Sequence, residues 1–228
     1  MKFKQHKCQI EKTDLCKGGT SKDALSINGP LFGNSIRMIC AGRSGAGKTV
    51  ALTQILLSTN GVRFENVYLV SPTIYQDTYT MLREVFEGTG VEYHTFPSVN
   101  DLPPVSALKP FSCVIFDDLP VADYAKVSEI FYTGRHRYIH SIFLCHTYGK
   151  LLPGILRTNA NYLVLFNQSA HVLRNAYNDF ACGDMNFDTF NDICRECFKE
   201  KYGFLTIARE NEVNDGRYRK GFDCFVQL

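Results

Sequence analysis

The chain has 228 residues, of which 45% are hydrophobic and 21% are charged, and its formal net charge is +2. That is ordinary globular usage with enough apolar material for a buried core, and the charge is too mild to indicate a nucleic-acid-binding protein by itself. No apolar run is long enough to span a bilayer, and the charged start lacks the apolar stretch of a signal peptide. We therefore expect a soluble, intracellular protein whose nine scattered cysteines are free thiols.

Residues 1–30 are polar, rich in lysine and interrupted by glycine, which predicts an N-terminal extension before a single domain over residues 31–228. Short apolar runs predict strands over residues 35–41, 66–70, 91–96, 113–116, 140–146 and 161–166. One helical pattern follows the first strand, and four others cover residues 73–87, 121–133, 169–182 and 187–200. A C-terminal hairpin is predicted over residues 203–210 and 221–228. This alternation predicts an α/β fold with a mostly parallel central sheet covered on both faces.

The clearest motif is GRSGAGKT, at residues 42–49 between the first predicted strand and the first predicted helix. It matches the phosphate-binding loop of P-loop ATPases, in which glycines permit unusual backbone angles and backbone N–H groups surround the phosphates. Lys48 is expected to reach the β- and γ-phosphates of ATP, and the Thr49 hydroxyl is expected to bind Mg²⁺. The alternative is a glycine-rich turn without a ligand. The predicted nucleotide-binding residues are Gly42, Arg43, Ser44, Gly45, Ala46, Gly47, Lys48 and Thr49.

Two carboxylates, Asp117 and Asp118, follow the apolar strand CVIF. Ligands of open α/β sheets collect at the carboxyl ends of strands, so these side chains are expected beside the phosphate loop. We assign Asp117 to Mg²⁺ and Asp118 to orienting the attacking water. The alternative is a strand that ends in a solvated acidic turn.

The segment GRHRYIHSIFLCHT places Arg135 and Arg137 directly before a buried strand and His146 at its end. A cation there could stabilise phosphate charge in the same subunit or across an interface, as an arginine finger does, whereas the plain alternative is a solvated basic turn. His146 could orient water or sense the γ-phosphate, or it could be a satisfied histidine at a strand end.

Two further groups leave alternatives open. Cys194 and Cys197 form a CxxC, which without a second such pair fits a core-facing helix as well as a zinc site. The tail contains four cations that fit either a DNA contact or a solvated hairpin: Arg209, Arg217, Arg219 and Lys220.

A set of segments resembles the FtsK–HerA superfamily, over about residues 31–226: GRSGAGKT, VSPTIYQDTY, CVIFDDL, GRHRYIHSIFLCHTY, LRTNANYLVLFNQ, LRNAYND and GRYRKGFD. The similarity is to its viral genome-packaging branch, the poxvirus-type packaging ATPases and their relatives in Polinton/Maverick elements. It implies a RecA-like core, assembly into a homo-oligomeric ring, and an arginine finger supplied in trans, matched to Arg135 with Arg137 as the second choice. Superfamily members often have Asp-Glu at the strand end where this chain has two aspartates, and many have glutamine in place of His146.

The resemblance therefore implies an ATP- and Mg²⁺-dependent motor that translocates double-stranded DNA into a preformed capsid. Its expected partners are DNA, further copies of the chain and a capsid or portal-vertex protein, at virion assembly sites in the host cytoplasm or nucleus, or in the virion. Two alternatives stay open. One is a nucleotide-dependent assembly module with little turnover, and the other is a cellular DNA-translocating ATPase of the same superfamily.

Overall fold

A computed structural model describes residues 1–10 and 28–228. Its strands are β1 Lys2–Gln5, β2 Arg37–Ala41, β3 Asn66–Val70, β4 Glu92–Phe96, β5 Ser112–Asp117, β6 Ile139–Cys145, β7 Tyr162–Phe166, β8 Phe204–Ala208, β9 Tyr218–Lys220 and β10 Cys224–Gln227. Its α-helices are α1 Lys48–Leu57, α2 Asp77–Thr89, α3 Tyr124–Thr133, α4 Gly154–Asn159, α5 Ala170–Phe180 and α6 Phe187–Cys197. A short 3₁₀ helix, Gly134–Arg137, precedes β6.

The strands of the described residues form one ten-stranded sheet in the order β1-β10-β9-β8-β7-β2-β6-β5-β3-β4. The part from β7 to β4 is parallel throughout, and the part from β1 to β8 is antiparallel. The predicted α/β class, mostly parallel sheet and antiparallel C-terminal hairpin are confirmed. Parallel neighbours are joined by helical crossovers, so the carboxyl ends of β2, β5 and β6 meet at one edge of the sheet.

The sheet separates two apolar cores, one on each face. Along β5, Val114 and Phe116 face one core while Cys113 and Ile115 face the other, which is the two-residue period of a strand. Every residue of β5 is buried, as expected for a central strand covered on both sides. The continuous apolar run CVIF in the sequence therefore arises because neither face of the strand contacts water.

The C-terminal hairpin contains one strand more than predicted. Between the two predicted segments lies β9, which pairs antiparallel with β8 on one side and with β10 on the other. Its sequence, Tyr218–Lys220, has two cations among three residues and gives no strand pattern. Helix α4 was also missed, since its six residues are too few for a helical period.

The buried environment of Arg219 explains why β9 cannot be recognised from the sequence. Its side chain is fully buried, and the guanidinium donates hydrogen bonds to the carbonyl oxygens of Leu31 (2.7 Å), Gly216 (2.6 Å) and Phe222 (3.1 Å). Burial lowers the pKa of this guanidinium. Arg219 is therefore neither a DNA contact nor a residue of a solvated hairpin, because its side chain reaches neither solvent nor a surface at which DNA could bind.

The other tail cations also have partners within the chain. Arg217 forms an ion pair with Asp184 (2.8 Å), and Lys220 forms one with Glu200 (2.6 Å). Arg209 stacks over an aromatic ring at 4.0 Å and donates to three backbone carbonyls. These contacts join the antiparallel part of the sheet to neighbouring elements, and they give these cations a structural role within the chain.

Cys194 and Cys197 are fully buried on α6 and pack in the same core as Phe190 and Ile193. The cysteines in the described part of the chain are all free thiols. The proposed N-terminal extension is described only in part: its residues 2–5 form β1, which pairs with β10, and residues 11–27 lie outside the described ranges. Across residues 1–10 and 28–228, no helix is long and apolar enough to cross a membrane.

Candidate nucleotide-binding site

The phosphate loop connects the carboxyl end of β2 to the first turn of α1. Gly45 and Gly47 have φ angles of 71° and 103°, which an ordinary side chain would adopt only with strain. A Cβ atom on Gly42 would lie 2.9 Å from the Cβ of Phe166, so the loop also needs glycine to pack against the end of β7. The Lys48 ammonium donates hydrogen bonds to the carbonyl oxygens of Gly42 (2.7 Å) and Arg43 (3.2 Å). This gives the closed loop around a cationic lysine that phosphate binding requires.

Asp117 lies at the end of β5 and is only 7% exposed. Its carboxylate accepts a hydrogen bond of 2.5 Å from the hydroxyl of Tyr79 on α2. Burial raises the pKa of Asp117 above its ordinary value, and the nearby charge of Asp118 adds to this, while the Tyr79 hydrogen bond and the charge of Lys48 lower it. A carboxylate in this setting favours a bound cation, because the cation offsets the cost of keeping it charged in a dry environment.

Asp118 has a left-handed backbone with φ 54°, which is uncommon for a residue other than glycine. Its carboxylate lies 2.8 Å from Nε2 of His146, the residue that follows β6. The His146 carbonyl in turn accepts a hydrogen bond of 3.1 Å from the Gln168 side chain, which follows β7. Residues that follow β5, β6 and β7 thus fix the Asp118–His146 pair at the carboxyl edge of the sheet.

One cleft of about 410 Å³ brings most of the predicted site together. Its lining includes eight predicted residues: Ser44, Gly45, Gly47, Lys48, Thr49, Asp117, Asp118 and His146. Two others, Arg43 and Ala46, line a neighbouring cleft that shares Ser44, Gly45 and Tyr202 with the first. Sequence reasoning missed Gln76, Val50 and Tyr202, which also line the first cleft, and Tyr79 beneath Asp117.

Arg135 lies elsewhere. It occupies the 3₁₀ turn before β6, while the acidic pair and His146 lie at the opposite edge of the sheet. Because β6 has seven residues and a strand rises about 3.3 Å per residue, the two edges are roughly 20 Å apart. Arg135 is exposed there and cannot reach the cleft of its own chain.

Arg137, the second choice for the arginine finger, forms hydrogen bonds within its own chain. Its guanidinium donates to the carbonyl oxygens of Ser106 (2.7 Å) and Leu108 (3.0 Å). These bonds hold the loop before β5 against the turn before β6. Of the two arginines, Arg135 is therefore the one available to a neighbouring molecule.

A model of the poxvirus A32 protein family matches residues 28–186, which is well over half of the 228 residues. The chain belongs to the poxvirus A32 protein family. The match runs from before β2 to the start of α6, so it includes the phosphate loop, the acidic pair, Arg135 and His146. No curated protein matches this A32-family chain significantly.

Solved structures similar to the A32-family chain include the genome packaging NTPase B204 from Sulfolobus turreted icosahedral virus 2. The B204 complex with ATP-gammaS has a TM-score of 0.55 at 12% identity, and the match covers 85% of this chain and 98% of B204. The complex with AMPPCP gives a TM-score of 0.54 at 12% identity, covering 86% of this chain and all of the other. At this identity the similarity establishes a shared fold.

The donor atoms of the A32-family site fit Mg²⁺. The Thr49 hydroxyl and the Asp117 carboxylate line the same cleft, and both are oxygen ligands of the kind that a small, hard cation prefers. Two protein ligands are few, which is typical of magnesium sites that are completed by water and substrate phosphates. The residues present therefore fit a Mg²⁺–nucleotide complex.

If Asp117 holds Mg²⁺, replacing Tyr79 with phenylalanine is expected to weaken Mg²⁺ binding about 10- to 100-fold, because the tyrosine hydroxyl would be the outer partner that orients the metal ligand. The ring would still fill its place in the core, so only the hydrogen bond to Asp117 is lost. The measurement is the Mg²⁺ concentration that gives half-maximal ATP hydrolysis. Tyr93→Phe is the matched control, since the hydrogen bond that its hydroxyl makes within the described residues is a long one, 3.5 Å, to the Tyr79 carbonyl and not to Asp117. An unchanged Mg²⁺ requirement in Tyr79→Phe would remove the tyrosine from this role.

Proposed function

We propose that this chain is an ATP-hydrolysing motor of viral genome packaging that drives double-stranded DNA into a preformed capsid. One observation carries the proposal: the phosphate loop, the acidic pair and His146 meet at one cleft in a member of the poxvirus A32 protein family. The fold shared with the genome packaging NTPase B204 supports it.

In this proposal the backbone of residues 42–49 and the Lys48 ammonium bind the triphosphate of ATP. Mg²⁺, held by Thr49 and Asp117, would neutralise charge on the β- and γ-phosphates. The carboxyl edge of the sheet is the usual place for such a ligand in an open α/β fold.

Hydrolysis requires a water molecule in line with the bond that breaks. The water oxygen bonds to the γ-phosphorus, the bond from that phosphorus to the β–γ bridging oxygen breaks, and ADP and phosphate leave. The Asp118 carboxylate is the group proposed to orient this water and to receive its proton. His146, 2.8 Å away, would hold that carboxylate in position through a hydrogen bond.

Arg135 is proposed to complete the site of a neighbouring subunit. A guanidinium close to the γ-phosphate stabilises the charge that develops during transfer, and the position of Arg135 at the far edge of the sheet permits this only in trans. Each active site is then shared between two copies of the chain, as expected for a homo-oligomeric ring. The DNA and a capsid or portal-vertex protein are the further proposed partners, at virion assembly sites in the host cell.

The test is steady-state ATP hydrolysis at increasing protein concentration, with and without linear double-stranded DNA. We expect specific activity to rise cooperatively with protein concentration, because shared sites form only on assembly, and to rise further with DNA. A nucleotide-dependent assembly module would bind ATP but show negligible turnover that responds to neither protein concentration nor DNA. That outcome would overturn the packaging-motor proposal in favour of the assembly module.

A further inference from the structure

Tyr202 is the aromatic side chain at the nucleotide cleft to which the mechanism above gives no role. It lies in the turn between α6 and β8 and has a left-handed backbone with φ 67°. Tyrosine is rarely found in this region, where glycine or asparagine is usual, and a strained residue that persists at a cleft is often functional. The side chain nevertheless remains 56% exposed, so burial of the ring does not account for the strain.

The position of this tyrosine is fixed by the phosphate loop. A Cβ atom on Gly47 would lie 3.3 Å from the Cβ of Tyr202 and 3.4 Å from its Cδ1. The base of the tyrosine side chain therefore packs directly on the loop, and the remainder of the ring faces the cleft. Val50, in the first turn of α1, lines the same cleft and is 62% exposed. Two exposed apolar side chains thus lie beside a site built for a highly charged ligand.

The polar side chains of the cleft indicate how a bound nucleotide would be oriented. Asp117, Asp118 and His146 mark where the γ-phosphate and Mg²⁺ lie, so the ribose and base must leave the loop on the other side. Tyr202 lies where this cleft meets the neighbouring one, which is lined by Arg43 and Asn167 but not by the acidic pair or His146. A base that leaves the loop there meets the tyrosine ring.

We propose that Tyr202 stacks on the base of the bound nucleotide, with Val50 as an apolar contact beside it. This assignment rests on the proposed nucleotide-binding function of the phosphate loop. Every nucleobase presents a π-face, and aromatic stacking strengthens binding without reading the edge of the base. The phosphate loop then supplies the affinity for the triphosphate, and Tyr202 the affinity for the nucleoside.

The first experiment uses the absence of tryptophan from the chain. In Tyr202→Trp the new indole is a single reporter, and we expect its fluorescence to change when ADP binds. Inorganic tripolyphosphate, which carries phosphates without a base, should bind the phosphate loop and leave the emission nearly unchanged. An indole that does not respond to saturating ADP would contradict stacking.

The second experiment removes the ring. Tyr202→Asn keeps a residue that tolerates a left-handed backbone, and we expect it to weaken ADP and ATP binding about tenfold while tripolyphosphate binding is unaffected. Tyr138→Asn is the matched control, since Tyr138 is also left-handed (φ 56°) and half exposed, but lies at the opposite edge of the sheet. Isothermal titration of each variant with both ligands gives the affinities.

The outcomes separate this inference from the function on which it rests. If tripolyphosphate and ADP bind the unmodified protein but Tyr202→Asn binds ADP with undiminished affinity, stacking is overturned and the phosphate site stands. If the unmodified protein binds neither ligand, the proposed nucleotide-binding function fails, and the inference fails with it. Equal losses for both ligands in Tyr202→Asn would mean that the tyrosine shapes the phosphate loop and does not contact the base.

Discussion

Lys48→Ala is expected to lower kcat/KM for ATP by on the order of 10²- to 10³-fold or more, because it removes a preorganised cation from the charge that develops on the phosphates. The ammonium already lies over its own loop, 2.7 Å from the Gly42 carbonyl, so it is positioned before the ligand arrives. Alanine is a good helix former, and the change at the start of α1 should leave the fold intact. The measurement is steady-state hydrolysis together with nucleotide affinity by calorimetry.

Lys109→Ala is the matched control for this variant. Lys109 forms an exposed ion pair with Glu92 at 2.6 Å, beside the edge strand β4. Exposed pairs of this kind contribute little to stability, so removing this lysine should change neither turnover nor the unfolding midpoint appreciably. Hydrolysis at the unmodified rate in Lys48→Ala would refute the assignment of the cleft as the site of ATP chemistry.

Arg135→Ala is expected to reduce the hydrolysis rate by roughly 10³-fold or more while nucleotide affinity stays close to that of the unmodified chain. Two features of the structure support a loss of hydrolysis without a loss of nucleotide affinity. Arg135 lies at the edge of the sheet away from the phosphate loop, so its loss leaves the nucleotide contacts within the chain unchanged. Its side chain is exposed, so its loss should cost little stability.

Mixing variants tests whether the arginine acts between subunits. Arg135→Ala retains an intact phosphate loop, and Lys48→Ala retains an intact arginine, so neighbours in a mixed assembly can form complete sites. We expect the mixture to recover measurable activity, although each variant alone has almost none. Arg137→Ala provides the comparison: loss of its two backbone hydrogen bonds should lower the unfolding temperature, because it holds the loop before β5. If no proportion of the two variants restores hydrolysis, the trans role loses its main support.

The sequence identifies the parallel part of the sheet well because its signals are local. CVIF is apolar throughout, since β5 is covered on both faces, and the phosphate loop stands between a strand and a helix as its motif requires. Strand ends of a parallel sheet share one edge, so the meeting of Asp117, Asp118 and His146 with the loop could be expected before the structure was known. The cleft that these residues line together agrees with this expectation.

What could not be predicted depends on contacts between distant residues. Tyr79 meets Asp117 across 38 positions of sequence, and no spacing rule connects α2 with the end of β5 in that way. Arg219 is a strand residue buried by carbonyl acceptors, one of which lies 188 positions away, so its charge alone suggested a surface. Tyr202 could not be found either, because its exposure and left-handed backbone are visible only in three dimensions.

Because Arg135 and the nucleotide cleft lie at opposite edges of one sheet, an arginine supplied in trans, as proposed, would make the contact between subunits head-to-tail. In an open row of subunits, the molecule at one end would always have a cleft without an arginine donor, and the molecule at the other end an arginine without a cleft. The fraction of competent sites would therefore increase with the length of the row and reach unity only when the row closes on itself. Specific activity would then report ring closure directly, and a mutation that prevents closure would be most costly in the shortest assemblies.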